Sequence, residues 1–204
     1  MGDTDDIRLR DGSRLVIRPI CPVDAAALVA LHARLSADTI YRRYFGARPH
    51  LSPGDVDRFT RIPERWRFAL VAVRGPGDLV AVARYEGRPG ATSAEIAVVV
   101  DDALHHQGVG RGLLGRLVDV ARERGLEALV ADVLSRNAPM LGLLRAIGLP
   151  ARAEGGGDTR TVTLDLTGLD LPAERRSRAR RHIVAAESGW VPGEGRHRDE
   201  RLVN

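Results

Sequence analysis

The residues best suited to chemistry lie in one stretch, from Glu95 to Leu114 (EIAVVVDDALHHQGVGRGLL). It opens with a carboxylate next to an apolar run and continues into a glycine-rich segment over 108–112. A carboxylate that takes a proton from a nucleophile typically contributes about 10²–10⁴ to a rate. Glycines let backbone amides approach a ligand, and a helix N-terminus adds free N–H donors and partial positive charge. The stretch therefore predicts a proton acceptor near a phosphate cradle.

The elements that position this stretch follow from hydrophobic periodicity and turn residues. We expect strands in a hairpin over 8–20, at 67–74, 79–85, 94–100 and 126–134, and in a last pair around 155–157. We expect helices that begin at Pro22, Ser36 and Ser52, a long helix that follows Gly108 and stops at Gly125, and a helix capped by Asn137. The nearly all-apolar run at 94–100 is expected to be buried near the sheet centre. This order predicts a single mixed α/β (α+β) domain.

The domain is expected to occupy residues 1–168, followed by a C-terminal tail over 169–204. The tail is dense in arginine from 173 to 181 and polar from 193 to 201. Such a composition is typical of solvated, flexible chain, so we expect at most one helix there.

The glycine-rich segment carries a resemblance to a known family. Gln107-Gly108-Val109-Gly110-Arg111-Gly112 matches the Gln/Arg-x-x-Gly-x-Gly/Ala signature of the GNAT superfamily, the acyl-CoA-dependent N-acyltransferases. The next strand–helix unit of that superfamily starts its helix with Asn and ends it with Gly plus an apolar residue, as do Asn137 and Gly148-Leu149. The resemblance covers roughly residues 7–167. It implies a central, mixed, mostly antiparallel sheet flanked by helices.

The resemblance also implies a set of ligand-binding residues for acetyl-CoA, the acyl donor. The amides of Val109, Gly110, Arg111 and Gly112 would hold the pyrophosphate, while Gln107 and Gly108 shape the loop. Val98 and Val100 would bind the pantetheine arm through their backbones, and Asn137 would contact the same arm or simply cap its helix. The Val98 N–H is also the expected donor to the thioester oxygen.

A finer resemblance points to the bacterial protein lysine acetyltransferases that modify acyl-CoA synthetases. It rests on Ser93-Ala94-Glu95-Ile96-Ala97 and on Tyr41-Arg42-Arg43-Tyr44-Phe45. In those proteins the Glu that matches Glu95 is the catalytic base. A lysine amine with a pKa of about 10.4 is free to attack in only about one molecule in 10³ at neutral pH, so a base is useful. We expect Glu95 to be partly desolvated by its apolar strand; the alternative is an exposed Glu at the strand start, paired with an arginine.

Several other residues have a plainer explanation beside a functional one. Many members of the superfamily place a Tyr acid in the helix after Asn137; here that position is Leu144, so no protein general acid is assigned. Tyr41, Tyr44 and Phe45 are expected in the core, the alternative being a wall of the acceptor groove. Four further residues are expected to have no direct role in binding or catalysis, with ligand contact or nucleophilic chemistry as the minor alternative: Cys21, His105, His106 and Arg136.

Composition excludes several classes of function. One cysteine rules out an internal disulfide, and the six histidines show no metal-ligand spacing, so no metal site is expected. No stretch approaches the roughly 20 apolar residues of a membrane helix, and the acidic N-terminus is unlike a targeting peptide, so we expect no membrane association and a cytoplasmic protein. The net charge of +4 gives little support to nucleic-acid binding.

Together these observations predict an acetyl-CoA-dependent N-acetyltransferase acting on a primary amine. The expected acceptor is the exposed lysine of a protein, such as an acyl-CoA synthetase, with Glu95 as general base. Two alternatives stay open: acetylation of a small-molecule amine, and an acyl-CoA-binding regulatory module with little turnover. All 31 basic residues other than histidine are arginine, so the chain has no side-chain amine of its own to acylate.

Overall fold

Turn and capping residues divide the chain almost where the sequence predicts. The computed structural model describes residues 5–62, 65–168 and 172–187. Its strands are β1 (Asp6–Arg8), β2 (Arg14–Pro19), β3 (Arg67–Gly75), β4 (Asp78–Gly87), β5 (Ser93–Val100), β6 (Ala128–Leu134), β7 (Ala151–Glu154) and β8 (Thr159–Asp165). Its helices are α1 (Ala25–Arg34), α2 (Ala37–Tyr44), α3 (Pro53–Thr60), α4 (Val109–Glu123), α5 (Ala138–Ala146) and α6 (Ala173–Glu187).

The strands form one sheet in the order β1-β2-β3-β4-β5-β6-β8-β7. All neighbouring strands are antiparallel except β5 and β6, which are parallel. The prediction of a mixed, mostly antiparallel sheet in an α/β fold is confirmed.

Helices cover both faces of this sheet. Alternate residues of β3 face opposite ways: Leu70 belongs to the large core under α4, whereas Val71 belongs to a smaller core under α1. α4 contributes an apolar stripe to the larger core that includes Leu113, Leu114 and Leu117. The stretch from Glu95 to Leu114 is thereby held between a central strand and a buried helix.

Strand β5 is less buried than its apolar sequence suggests. Its pairing with β6 covers only Ser93–Glu95, opposite Ala128–Val130. From Ala97 to Val100 the side chains are half-buried. The expectation of full burial was wrong because β5 and β6 separate after Glu95 and leave one edge of β5 open.

The Arg-rich C-terminal segment contains one helix in its described part. α6 packs on α4 and β2, and its charges meet acids from distant parts of the chain. Arg175 binds Asp119 through two nitrogens at 3.0 and 2.5 Å, and His182 Nε2 lies 2.7 Å from the buried carboxylate of Asp5. Residues 169–171 and 188–204 of the predicted tail lie outside the described residues, and a domain boundary at 168 stays a prediction.

Candidate active site

The separation of β5 from β6 opens a cleft of about 660 Å³. Its walls are the free edge of β5, helix α2, the turn that begins α4, the end of β6 and one face of α5. A volume in this range suits a ligand of cofactor size. Of the predicted site residues, the cleft is lined by Glu95, Val98, Val100, Gly108, Val109, Gly110, Arg111 and Asn137.

The backbone of β5 presents unused groups to this cleft. Asp101 N–H donates to the Val80 carbonyl at 2.9 Å, which continues the ladder between β4 and β5. Hydrogen-bonded and non-hydrogen-bonded pairs alternate along an antiparallel ladder. Val98 and Val100 therefore point their N–H and C=O groups away from β4 and into the cleft. The Val100 carbonyl already has one partner, His105 Nε2, at 3.0 Å.

The glycine-rich turn supplies a second set of backbone donors. Gly108 precedes α4 with a φ of +84°, a left-handed conformation that a side chain would strain. The first N–H groups of a helix have no acceptor inside it, which leaves the amides of Val109, Gly110 and Arg111 available at the cleft.

Gly112 and Gln107 serve the scaffold of this turn and do not line the cleft. The Gly112 amide donates to the Gly108 carbonyl at 2.9 Å, and a Cβ on Gly112 would lie 2.6 Å from Ile7 Cδ1. Gln107 Nε2 donates to the Ala103 carbonyl at 3.1 Å. Gly112 thus differs from the expectation that its amide is free for a ligand.

Asp102 fixes helix α2 as a wall of the cleft. Its carboxylate accepts from the Ser36 N–H, the Ser36 hydroxyl and the Thr39 hydroxyl at 2.6–2.9 Å. Burial alone would raise the pKa of Asp102, but the bonds from Thr39 and Ser36 hold it below its ordinary value. The ionised carboxylate therefore ties the N-terminus of α2 to the loop that follows β5.

Helix α2 also corrects two expectations about its aromatic residues. Tyr41 and Phe45 are 39% and 42% exposed and Tyr44 is half-buried, so none of the three is a core residue. Phe45, in a left-handed conformation at the position expected of Gly46, ends the helix and lines the cleft. Arg43, on the same helix, lines the cleft as well. No signal in the sequence alone distinguishes Arg43 from the other arginines of this segment.

Asn137 and Leu144 lie on the far wall. Asn137 Oδ1 accepts from the Met140 N–H at 3.2 Å, so the side chain caps α5 while it also lines the cleft. Leu144 is 2% exposed and belongs to the core. Leu144 does not line the cleft.

Glu95 is exposed at the start of β5, so the expected desolvation was wrong. Burial, the largest effect, lowers the pKa of Arg43. The nearby charges of Tyr44 and Glu95 offset part of that shift. Glu95 stands opposite Glu86 in the register of β4 and β5. It is one of four residues shared by the cleft and a second cavity: Arg43, Glu95, Ile96 and Ala97.

The second cavity has a volume of about 620 Å³ and lies over β4, β5 and the start of β6, beneath α2 and α3. Its ionisable lining is five arginines, two glutamates and a tyrosine: Arg43, Arg48, Arg58, Arg84, Arg88, Glu86, Glu95 and Tyr44. We call it the arginine pocket. The only signal for it in the sequence is an arginine within the apolar run of β4, at Arg84.

The remaining candidates take their plainer roles. Burial and the neighbouring Asp24 raise the pKa of the Cys21 thiol to about 11, which leaves it unsuited to nucleophilic chemistry at neutral pH. Arg136 is exposed and stacks over the Tyr41 ring at 5.2 Å. His105 and His106 both line the cleft, so ligand contact remains the alternative for them. Within residues 5–62, 65–168 and 172–187, no group of three His, Cys, Asp or Glu side chains could hold a metal ion.

Comparison with known proteins decides the family. A family model described as the acetyltransferase (GNAT) family matches residues 35–149, more than half of the chain. The chain belongs to the GNAT acetyltransferases. The match extends from the start of α2 to the end of the α5 unit, and so includes the glycine-rich turn and the cleft.

Individual relatives agree with this membership. The crystal structure of the GNAT domain of S. lividans PAT superposes with a TM-score of 0.73 at 33% identity, covering 78% of this chain and 95% of that one. Acetyltransferase PA5475 of Pseudomonas aeruginosa is 28% identical over 76% of this chain and 84% of its own length. Acetyltransferase Pat of Mycolicibacterium smegmatis is 28% identical over 70% of this chain, which spans only 43% of that relative.

A more distant likeness shows the fold alone. The yncA protein of Salmonella typhimurium, described with its cofactor acetyl-CoA, has a TM-score of 0.61 at 22% identity. It covers 78% of this chain and 97% of its own.

Among the described helices of the present protein, none has the length and apolar character needed to cross a membrane.

Proposed function

We propose that this GNAT acetyltransferase moves an acetyl group from acetyl-CoA to the lysine amine of a protein, with Glu95 as the base. The position of Glu95 carries the proposal. It is exposed where β5 leaves β6, and it is shared by the cleft and the arginine pocket. A carboxylate there can meet an amine that enters from one cavity while the acyl donor occupies the other.

The cleft fits the acyl donor through backbone donors. The free amides of Val109, Gly110 and Arg111 would hold the pyrophosphate, helped by the partial positive charge of the α4 N-terminus. The open edge of β5 at Val98 and Val100 would bind the pantetheine arm as an added strand. Asn137 would border the same arm. We assign Gln107, Gly108 and Gly112 to shaping the turn.

The chemistry follows from these placements. Bound acetyl-CoA supplies an activated acyl carbon. Glu95 accepts a proton from the acceptor amine as the new C–N bond forms and the C–S bond breaks. The Val98 N–H donates to the acyl oxygen, where negative charge builds. Because Leu144 occupies the position of the usual acid, the leaving thiolate takes its proton from water.

A comparison of the wild type with Glu95→Gln tests the proposal. Each protein is incubated with labelled acetyl-CoA and a soluble lysate of the source organism. The chain's lack of lysine keeps its own labelling low. We expect discrete labelled protein bands, with rates about 10²–10⁴ lower for E95Q and an unchanged affinity for acetyl-CoA. Glu154→Gln, an exposed change on β7, is the matched control.

Three results would count against the proposal in different ways. Equal labelling by E95Q and wild type would remove Glu95 as the base. Transfer to small amines without any labelled protein would assign the small-molecule alternative. Acetyl-CoA binding with no transfer to any amine would assign the regulatory module. A cytoplasmic location and an acyl-CoA synthetase as the partner stay predictions until such labelled targets are identified.

A further inference from the structure

We propose that the arginine pocket binds an anionic group of the acceptor, a carboxylate or a phosphate held a few bonds from the amine, with Arg84 as its main contact. The inference rests on the proposed function and specifies the acceptor class of the same site. The anion has two possible sources: an acidic residue beside the target lysine, or an acid group on a small amine.

Two of the five pocket arginines are hydrogen-bonded to carboxylates. Arg48 Nη2 donates to both oxygens of Asp55 at 2.8 Å, and Arg58 forms an ion pair with Glu86. No ion pair is found for Arg43 or Arg88 among the described residues. The pocket therefore presents more positive charge than its own acids neutralise.

Arg84 is the buried member of the set. Its side chain is only 9% exposed and lies between the small residues Ala69 and Ala97 of the adjacent strands. The guanidinium stacks over the Phe59 ring at 4.2 Å. Stacking on Phe59 restrains the guanidinium, as a preorganised binding group requires.

One guanidinium nitrogen of Arg84 lacks a hydrogen bond within the part of the chain that the structure describes. Within the described residues, Nη2 is buried without a hydrogen-bond partner, and the nearest carboxylate, Glu86, is 3.9 Å away. Burial and the surrounding arginines lower the pKa of Arg84 to about 10. A buried cationic N–H without an acceptor is costly, so an incoming anion would satisfy a group that the protein leaves unsatisfied.

The sheet register brings Arg84 close to the reacting end of the site. Glu95 pairs with Glu86, and Arg84 pairs with Ala97, so all four side chains lie on one face. Arg84 and Glu95 are diagonal neighbours, about 7–8 Å apart. An anion at Arg84 and an amine at Glu95 can therefore belong to one small acceptor or to two adjacent residues of a peptide.

The charge of the pocket favours an acceptor with both signs. An acceptor amine is a cation before it loses its proton, and the arginines repel it. A neighbouring carboxylate or phosphate on the acceptor offsets this repulsion and adds a charge-assisted hydrogen bond to Arg84. A lysine in a neutral or basic segment has no such compensation.

Paired acceptors provide the test. The first pair is two short blocked peptides that differ only in Asp or Asn after a single lysine; the second is O-phosphoethanolamine and ethanolamine. For the wild type we expect kcat/KM to be about tenfold to a hundredfold higher for the acidic member of at least one pair. The pair that shows the preference identifies the source of the anion.

Arginine variants assign the preference to the pocket. Arg84→Met should bring the ratio of kcat/KM for the acidic and the neutral acceptor close to one, while the KM for acetyl-CoA stays unchanged. Arg88→Gln, an exposed change at the rim, should reduce the preference about twofold to fivefold without disturbing the core. Arg160→Gln, an exposed arginine on β8, is the control and should keep the full preference.

A binding measurement separates this inference from the proposed function. Inorganic phosphate is titrated into the protein at constant ionic strength, without acetyl-CoA, and thermal stability is followed. We expect saturable stabilisation in the wild type and in R160Q, and none in R84M. Equal transfer to acidic and neutral acceptors, with no phosphate effect, overturns the anion site alone. Phosphate binding that depends on Arg84, with no transfer to any amine, overturns the proposed function alone.

Discussion

Replacing Gly112 with alanine separates the structural role of this glycine from a role in ligand binding. A Cβ at Gly112 would lie 2.6 Å from Ile7 Cδ1 and 2.9 Å from Ile7 Cγ1. Real Cβ atoms do not come this close, so β1 or the Ile7 side chain must move. Overpacking of this kind costs about 1–3 kcal/mol. Gly115, one turn later in α4, has no atom within 4 Å of such a Cβ and serves as the matched control.

Both substitutions gain helix propensity, but only Gly112→Ala introduces a steric clash with Ile7. Alanine is about 1 kcal/mol better than glycine inside a helix, so Gly115→Ala should raise the free energy of unfolding by up to that amount. Gly112→Ala should fall below Gly115→Ala by about 1–3 kcal/mol, measured by urea denaturation at equal slope.

A third variant identifies the contact responsible. Ile7→Ala removes the atoms that clash, so the penalty of Gly112→Ala should shrink in the double mutant, with a coupling energy of about 0.5–3 kcal/mol. The acetyl-CoA affinity of folded G112A should match the wild type. Equal stability of G112A and G115A, or a large loss of acetyl-CoA binding in a stable G112A, would refute the packing role.

Three further predictions concern the cleft and helix α6. Gly110→Ala places a Cβ at an ordinary 3.4 Å from Leu143 Cδ2 but on the wall of the cleft, so we expect acetyl-CoA binding about tenfold weaker by calorimetry with little change in stability. Asn137→Ala removes the cap of the Met140 N–H and should lower the free energy of unfolding by about 1 kcal/mol, whereas Asn137→Asp keeps most of it. Asp5→Asn leaves Arg116 and His182 without their buried counterion and should cost about 3–5 kcal/mol. Burial alone would raise the pKa of Asp5, but His182 and Arg116 hold it below 3.8. The ionised Asp5 therefore stabilises the fold above about pH 4, and this stabilisation is lost as the pH falls further. At low pH, D5N and the wild type should converge in thermal denaturation.

Local signals were sufficient to predict the elements. Ser36 and Ser52 accept the predicted capping bonds at α2 and α3, and Asn137 does so at α5. Capping and turn formation depend on residues close together in the sequence, so a single sequence contains the information. The GNAT signature located the turn before α4 for the same reason.

Features that depend on distant contacts were not predictable. The apolar run 94–100 predicts a fully buried strand and gives no sign that β5 and β6 separate. The role of Gly112 depends on Ile7 of β1, and the binding potential of Arg84 depends on the register of β4 with β5 and on Phe59 of α3. In each case the partner lies in another element, and nothing local specifies the pairing.

The docking of α6 has a consequence for the order in which the protein folds. Its anchors are Asp5 at the start of the sheet and Asp119 on α4, and the bond between Asp5 and His182 spans 177 positions of the sequence. During synthesis the sheet and α4 leave the ribosome before α6 does. Until α6 is made, Asp5 and Asp119 have no cationic partner from that helix. Contacts that close long loops form more slowly than local contacts. We therefore expect α6 to dock last, onto a domain whose cleft is already shaped.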